Sequence, residues 1–423
     1  MNRRPISGTR LRAHFRCLAL LGFGCLGALP QSFERTPALP LSHPAIQYFE
    51  RTPKDPVAIL QSRLDKGETK LDFDPVRGGY IESVLKHLGV NADSQVLVFS
   101  KTSFQGVLVS PAKPRAICFN DSVATGFVQD GDVIELASLD PTQGIVFYTL
   151  DVRQSAHPRF ERRDVCLQCH QGVPALGVPG LVVGSSLIDR SGMPAAHSGQ
   201  VMTDHRTPLA ERWGGWFVEG NLGGQPHRGN ALTPHADTVE AVTLDKVKRE
   251  LYPARTSDVA ALMTLEHQAR MTNLLTRLGW ETRIATAEGK LGEFRARMAG
   301  EIDEVVRYML FADEAPMAAP IRGDGSFTKT FAERGPRDRG GRSLREFDLR
   351  TRLFRYPLSY MIYSEAFDAL PGAARDRIYR RLYDVLSGKE TQGEFGRLSA
   401  RDRRDVLEIV RDTKAGLPAY WKE

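Results

Sequence analysis

Gly144-Ile-Val-Phe-Tyr-Thr-Leu150 is the longest of four short runs of β-branched and aromatic residues that follow one another in the first half of the chain. The other three are Gln95-Val-Leu-Val-Phe-Ser100, Ala116-Ile-Cys-Phe119 and Val133-Ile-Glu-Leu136. Turn signals such as Asp130-Gly131 and Asp140-Pro141 separate them, so each run predicts a strand. Upstream, Asp55-Pro56 is a helix-start signal, and residues 79–88 predict a second helix. This half of the chain therefore indicates an α+β module.

The second half of the chain is predicted to be helical. Residues 257–278, 373–386 and 399–414 repeat apolar residues with the 3.6 period of a helix, and Ser399 with Asp402 forms a cap signal. We expect these helices to pack as a bundle against the middle of the chain. Residues 312–345 are rich in Gly, Pro and Arg and predict a long loop, either solvated or placed to cover a site or dock a partner.

Composition excludes several classes of protein. The 423 residues are 41% hydrophobic and 26% charged, which is typical of a soluble globular chain with two or three domains. The net charge of +6 is concentrated at the N-terminus, where five arginines and no acidic residue occur in residues 1–29. The remainder has 52 basic and 51 acidic residues, so the charge expected of a nucleic-acid-binding protein is missing.

The N-terminus has the pattern of an export signal. An Arg-rich start precedes the apolar run of residues 17–29, which is shorter than the roughly 20 residues that span a bilayer. We therefore interpret residues 1–29 as a signal peptide and expect a periplasmic or otherwise exported protein without a transmembrane span in the mature chain. A buried amphipathic helix is the alternative, and Cys25 is a weaker candidate for lipid attachment.

The remaining cysteines point to a cofactor. Only Cys118, Cys166 and Cys169 lie outside the leader, an odd number that argues against a disulfide framework. Cys118 lies in an apolar run and is predicted to be a buried, inert thiol. Cys166-Leu-Gln-Cys169-His170 has the C-x-x-C-H spacing of covalent c-type haem attachment, in which two thiols join one porphyrin and the histidine binds its iron. A redox disulfide or half of a zinc site are the alternatives.

These residues resemble the haem-binding motif of the cytochromes c, and the Gly/Pro-rich segment 172–181 resembles the loop that lies against the haem edge in that family. The resemblance implies one covalent haem c at Cys166 and Cys169 with His170 as proximal iron ligand. Four further stretches resemble uncharacterised exported bacterial proteins with a single such motif. They are Asp204-His-Arg-Thr-Pro208, Glu211-Arg-Trp-Gly-Gly-Trp-Phe217, Leu265-Glu-His-Gln268 and Tyr356-Pro-Leu-Ser-Tyr-Met-Ile-Tyr-Ser364.

The sequence thus divides into four parts: a signal peptide (1–29), an α+β module (30–155), an irregular haem-bearing region (156–250) and a helical region (251–423). Within the third part, Trp213 and Trp216 are candidates for a wall of the haem pocket, with ordinary core packing as the alternative. Arg206 is a candidate partner for a haem propionate, because guanidinium matches carboxylate bidentately; Arg212 and Arg228 share that chemistry.

The second axial ligand of the iron has several candidates. His267 lies in mid-helix on an apolar stripe, and His205 lies near the haem motif beside the tryptophan pair. His227, Met193 and Met202 are weaker candidates, because no apolar pattern surrounds them. An empty position is the remaining alternative.

A single haem without other catalytic signatures favours periplasmic electron transfer with a redox partner protein. About 394 residues around one haem exceed what a simple carrier needs, so a peroxidase-like haem enzyme and a haem-based ligand sensor remain alternatives. Either would need an open or displaceable sixth position at the iron.

Overall fold

A seven-stranded antiparallel sheet organises the computed structural model, which describes residues 37–195, 199–235 and 238–422. The predicted signal peptide and Cys25 lie outside the described residues. The strands of the described residues are β1 Val96–Val98, β2 Arg115–Phe119, β3 Val123–Val128, β4 Val133–Asp140, β5 Gly144–Asp151, β6 Phe160–Arg162, β7 Gly184–Ser186, β8 Gln200–Met202, β9 Trp216–Phe217, β10 Gly220–Asn221, β11 Ala231–His235, β12 Thr238–Ala241 and β13 Arg322–Gly323. The large sheet has the order β6-β5-β4-β3-β2-β1-β9.

The four strands predicted from sequence are confirmed as β1, β2, β4 and β5. Strand β3 is not predicted from the sequence, because Val123-Ala-Thr-Gly-Phe-Val128 contains small residues and a glycine in place of a continuous β-branched run. It lies between β2 and β4 and completes the meander. The mixed α+β class is therefore confirmed in general terms.

The described helices are α1 Pro56–Asp65, α2 Ile81–His87, α3 Leu167–His170, α4 Val259–Ala287, α5 Leu291–Met309, α6 Phe327–Glu333, α7 Glu365–Asp368, α8 Gly372–Leu386 and α9 Ala400–Thr413. The predicted start at Asp55-Pro56 is confirmed, since the Asp55 side chain caps α1. The predicted cap of α9 is also confirmed, with Ser399 and Asp402 in a reciprocal capping box. Most of the C-terminal part is helical, as expected.

Two features of this part differ from the sequence prediction. Helix α5 was not predicted, and α6 lies within the segment 312–345 that was expected to be loop. Helix α6 exists because Phe327 and Phe331 lie one turn apart on the same side, and both are buried against Phe347, with Phe331 also packed on Phe354. This aromatic packing outweighs the local Gly and Pro content around it.

The sheet has two buried faces, and alternate residues of each strand belong to one or the other. One face packs on α1 and α2 and includes the buried Cys118, Ile134 and Val146. The other face packs toward α4, whose 29 residues are buried on most sides. The sheet is thus the shared wall of two cores. No helix of the described residues is long and apolar enough to span a membrane.

Candidate functional site

The C-x-x-C-H motif forms a compact turn at the end of β6. A 3-10 turn, Asp164–Cys166, leads directly into α3, and the buried Leu167 anchors that helix in the core. The three-residue spacing of Cys166 and Cys169 brings them to neighbouring positions one helical turn apart. Cys166 is half-buried, Cys169 is exposed, and both are free thiols. Both line one cavity together with His170.

His170 is oriented by the Gly/Pro-rich segment that follows it. Its Nδ1 lies 3.0 Å from the carbonyl oxygen of Gly180, and its ring centroid lies 4.8 Å from that of Phe147. Because a carbonyl only accepts hydrogen bonds, Nδ1 carries the proton and Nε2 keeps its lone pair. Burial lowers the pKa of His170, although the bond to Gly180 opposes that effect. The imidazole is therefore neutral near pH 7, which is the form that binds a metal ion.

Helix α4 in turn holds the carbonyl that orients His170. The carboxamide of Asn273 accepts a bond from the Leu181 N–H at 2.9 Å and donates one to the Leu181 carbonyl at 2.7 Å. A Cβ atom at Gly180 would lie 2.2 Å from the Asn273 side-chain oxygen, so only glycine allows this close approach. The orientation of His170 thus depends on a residue more than 100 positions away.

A cavity of about 340 Å³ lies between the motif, the α4 side of the sheet and α4 itself. Its size falls within the range of small-molecule sites. Leu265 and Ala269 of α4 form one wall, the segment 181–183 and Trp216 form another, and the loop 102–104 lies at its edge. The exposed surface of the lining is mainly apolar, and Arg115, Glu135 and Arg163 add charged groups, which suits an apolar molecule that has a charged edge.

Small residues make room for the cavity in the middle of the sheet. In one row across the strands, Phe147 of β5 is paired with Ala137 of β4, which is paired with Ala124 of β3. In the next row, Glu135 is paired with Gly126. The two alanines and the glycine leave a trough in a face where large side chains would otherwise fill the space. We call Ala124, Gly126 and Ala137 the small-residue floor.

A charged pair lies across this floor. Arg115 of β2 forms an ion pair with Glu135 of β4, and its guanidinium passes over Gly126, where a Cβ atom would clash with it. The Nε of Arg115 is buried without a hydrogen-bond partner, and the same is true of the Ser103 hydroxyl. Both residues line the cavity. Buried donors without partners are rare in folded proteins, so these two side chains are incompletely satisfied by the protein itself.

These residues fit a covalently bound haem. Cys166 and Cys169, two free thiols one turn apart, line the cavity together with the neutral imidazole of His170. Arg163, three residues before Cys166, adds a second guanidinium to the lining. Among the described residues, no group of three or more His, Cys, Asp or Glu side chains could hold a metal ion.

Trp213, Trp216 and Arg206 were predicted to lie at the haem pocket, and the structure places them differently from one another. Trp216 lines the cavity, and its Nε1 donates to the Gly184 carbonyl at 2.8 Å. Trp213 is fully buried and does not belong to the lining. Arg206 is also outside the lining and is held by Asp204 at 2.7 Å and by Glu304 at 2.8 Å.

His205 and His267 lie together in a buried polar cluster, and neither belongs to the cavity lining. Their Nδ1 atoms are 2.8 Å apart, and His267 Nε2 lies 2.8 Å from the Ser359 hydroxyl. Tyr308 stacks on both rings. Burial lowers the pKa of His267 to about 3, so the pair is neutral near pH 7. Their assignment as distal iron ligands stays a prediction.

The same cluster joins the four stretches that resembled other exported proteins. Arg212 pairs with Glu266 at 3.2 Å, and Tyr360 donates to Gln268 at 2.7 Å. With His205, each stretch contributes at least one buried polar side chain to this region. The sequences of the four stretches alone do not predict that they lie in contact with one another in the folded protein.

Sequence reasoning missed the residues of the sheet that line the cavity. Arg115, Glu135 and the small-residue floor come from β2, β3 and β4, far from the motif along the chain. The small residues at Ala124 and Gly126, which lie on the same side of β3, could have indicated a cavity on that face of the sheet. This inference required that β3 first be recognised as a strand.

Comparison with protein-family models, with curated proteins and with solved structures found no match to this chain.

Proposed function

We propose that this chain is a c-type haem protein that carries one haem in the cavity beside the C-x-x-C-H motif. The observation that carries the proposal is that both thiols of the motif and the imidazole of His170 line the same cavity. Side chains that are close together in the sequence need not line the same cavity. Here they face a trough that no large side chain fills.

Each residue would have a distinct task. The Cys166 and Cys169 S–H groups would add across the two vinyl C=C bonds of one porphyrin, sulfur to one carbon and hydrogen to the other, so that no further reactant is consumed. His170 would present Nε2 to the iron, with the Gly180 carbonyl holding the ring. The bound haem would supply one-electron redox chemistry. The apolar walls would exclude water and thereby tune its potential.

We further propose periplasmic electron transfer as its role. Support comes from the single motif, the Arg-rich apolar leader and the half-exposed position of the motif, which leaves one edge of the site close to solvent. A redox partner protein would approach at that edge. Sequencing the N-terminus of the mature protein tests the export step; an intact Met1 on cytoplasmic protein would contradict it.

A haem enzyme of the peroxidase type or a haem-based ligand sensor is the second candidate. One observation favours it: within the described part of the chain, the cavity lining holds no imidazole besides that of His170 and no methionine. Optical spectra of the oxidised and reduced protein, with and without carbon monoxide, separate the two candidates. Rapid carbon monoxide binding would favour the second candidate, and no binding would favour electron transfer.

Covalent attachment is tested by substitution of the motif cysteines. The double variant Cys166→Ser/Cys169→Ser is expected to lose all haem on a denaturing gel, because no thioether bond remains. Cys118→Ser is the matched control: its thiol lies on the opposite face of the sheet, where burial raises its pKa to about 12. This control should keep its haem. Haem that stays with the double variant through denaturation would refute the proposal.

A further inference from the structure

Thioether attachment and the His170 ligand make no use of one charged feature of the cavity. Arg115 and Glu135 place a charged pair on an otherwise mainly apolar floor, with side-chain exposures of only 22% and 13%. Keeping two charges largely away from water costs free energy unless their partners are well satisfied. The Arg115 Nε has no partner, so the pair is incompletely satisfied by the protein.

The sheet register places this guanidinium across the floor from His170. The His170 ring packs on Phe147 of β5, whereas the Arg115 guanidinium lies over Gly126 of β3, two strands away. Two strand spacings correspond to about 10 Å. Between them lie Ala124 and Ala137, which leave this space free of large side chains. The imidazole and the guanidinium are thus at opposite sides of the trough.

The lining also lacks the usual protein groups that would fill a second axial position. In the part of the chain that the structure describes, its members with titratable side chains other than the motif are Arg115, Arg163, Glu135 and Tyr148. The hydroxyl of Tyr148 donates to Asp55 on the other side of the sheet at 2.7 Å. His205 and His267 are held by each other and by Ser359.

From this arrangement we propose that the cavity binds a small anion at the iron on the side away from His170, and that Arg115 donates a hydrogen bond to it. The ligand class is a monovalent anion of two or three atoms, such as cyanide, azide or nitrite. Ser103, whose hydroxyl has no hydrogen-bond partner in the protein, also lines the cavity. The inference rests on the proposed haem attachment and on the open sixth position of the second candidate function, and it excludes His205 and His267 as permanent distal ligands.

Cyanide titration of the ferric holoprotein, followed by its Soret band, tests the inference. We expect cyanide to convert a high-spin spectrum to a low-spin one. Arg115→Leu should weaken cyanide binding at least about tenfold, because a hydrogen bond from a charged donor is lost. Affinity of the reduced protein for carbon monoxide, a neutral ligand and poor acceptor, should change by less than about threefold.

Two further variants guard against trivial results. Arg159→Leu removes an exposed arginine outside the cavity lining and should bind cyanide like the unaltered protein. Arg115→Lys keeps the positive charge beside Glu135 but removes the guanidinium, so an intermediate affinity is expected. If Arg115→Leu does not fold, Arg115→Lys alone decides, and affinity equal to the unaltered protein overturns the role of Arg115.

The outcomes separate this inference from the proposed function. Absence of covalent haem in the unaltered protein would reject the proposed function. A haem-loaded protein that is low-spin and unresponsive to cyanide would reject only the inference. In that case, conversion to high-spin by His267→Ala or His205→Ala would identify the distal ligand that the sequence predicted.

Discussion

Gly180 shows how one residue joins the C-x-x-C-H motif to the core of the protein. Its carbonyl orients His170, and its missing side chain allows Asn273 of α4 to hold the next residue by two hydrogen bonds. The bond to the imidazole also selects the tautomer that leaves Nε2 free. Orientation of His170, the proposed iron ligand, is therefore controlled by backbone packing against α4.

Gly180→Ala should disturb this arrangement, because the added methyl group would overlap the Asn273 carboxamide. We expect the free energy of unfolding to fall by about 1–3 kcal/mol and the haem content of the purified protein to decrease. Urea unfolding and a haem-to-protein absorbance ratio measure the two effects. Gly292→Ala is the control, since a Cβ atom there meets nothing within 4 Å and Gly292 lies in α5. Unchanged haem content in Gly180→Ala would contradict the proposed positioning.

At the scale of elements, α1 is attached to the sheet by one buried carboxylate. Asp55 accepts hydrogen bonds from the N–H groups of Val57 at 2.9 Å and Ala58 at 3.2 Å, and from the Tyr148 hydroxyl at 2.7 Å. Burial raises the pKa of Tyr148, so it remains a donor. The Asp55 side chain thus both caps α1 and links this helix to the sheet.

Asp55→Ala is expected to lower the free energy of unfolding by about 2–4 kcal/mol, because it removes the cap and leaves a buried hydroxyl unpaired. Tyr148→Phe should cost less, about 1–2 kcal/mol. A double-mutant cycle by urea unfolding should give a coupling energy above about 0.5 kcal/mol. Additive effects would show that the two side chains do not interact in solution.

Helices α4 and α5 meet at two buried glutamates. Glu301 of α5 faces Glu281 of α4, with Arg277 and Arg297 alongside. Burial, together with Glu281, raises the pKa of Glu301 to about 8. The folded protein therefore keeps a proton on Glu301 at pH values where the unfolded chain, with a pKa near 4.5, has lost it.

The sign of the pH effect follows from this difference. Because the folded state binds the proton more tightly, the contribution of Glu301 to the free energy of unfolding falls as pH rises from about 4.5 to about 8. Glu301→Gln should remove this decline and be more stable than the unaltered protein by about 1–3 kcal/mol at pH 8. Glu293→Gln, an exposed position on α5, is the control. Chemical unfolding at pH 5 and pH 8 measures the difference, and parallel curves would refute it.

For the whole molecule, the cavity is shared by elements from three parts of the chain. Its walls come from the sheet, from the motif segment and from Leu265 and Ala269 of α4. The described chain from residue 37 onward belongs to one compact unit, and β9 joins the sheet from beyond the motif. Unfolding of any one wall of the cavity should therefore expose the other walls to solvent.

We accordingly expect the holoprotein to unfold in one cooperative transition. In urea, the Soret band, which reports the cavity, and far-UV circular dichroism, which reports mostly the helices, should share one midpoint. Urea is used in place of heating, because heating promotes aggregation of the unfolded chain. Two separate midpoints would show that the C-terminal helices are stable without the cavity.

Short-range patterns were sufficient for several conclusions. The C-x-x-C-H spacing, the β-branched and aromatic runs of the predicted strands, the start of α1 and the cap of α9 each depend on residues within about ten positions, where chemistry and periodicity act locally. The predicted export signal and the proposed cofactor rest on such patterns as well. They required no knowledge of the fold.

The cavity, in contrast, could be recognised only from the tertiary structure, because it depends on contacts between residues far apart in the chain. Strand register places Ala124 beside Ala137, close packing places Asn273 against Gly180, and burial joins His205 to His267 away from the cavity. None of these pairs has a local signature, because register and packing are set by the energy of the whole core. The packing of the whole core therefore decides whether a histidine can be an iron ligand or is a buried core residue.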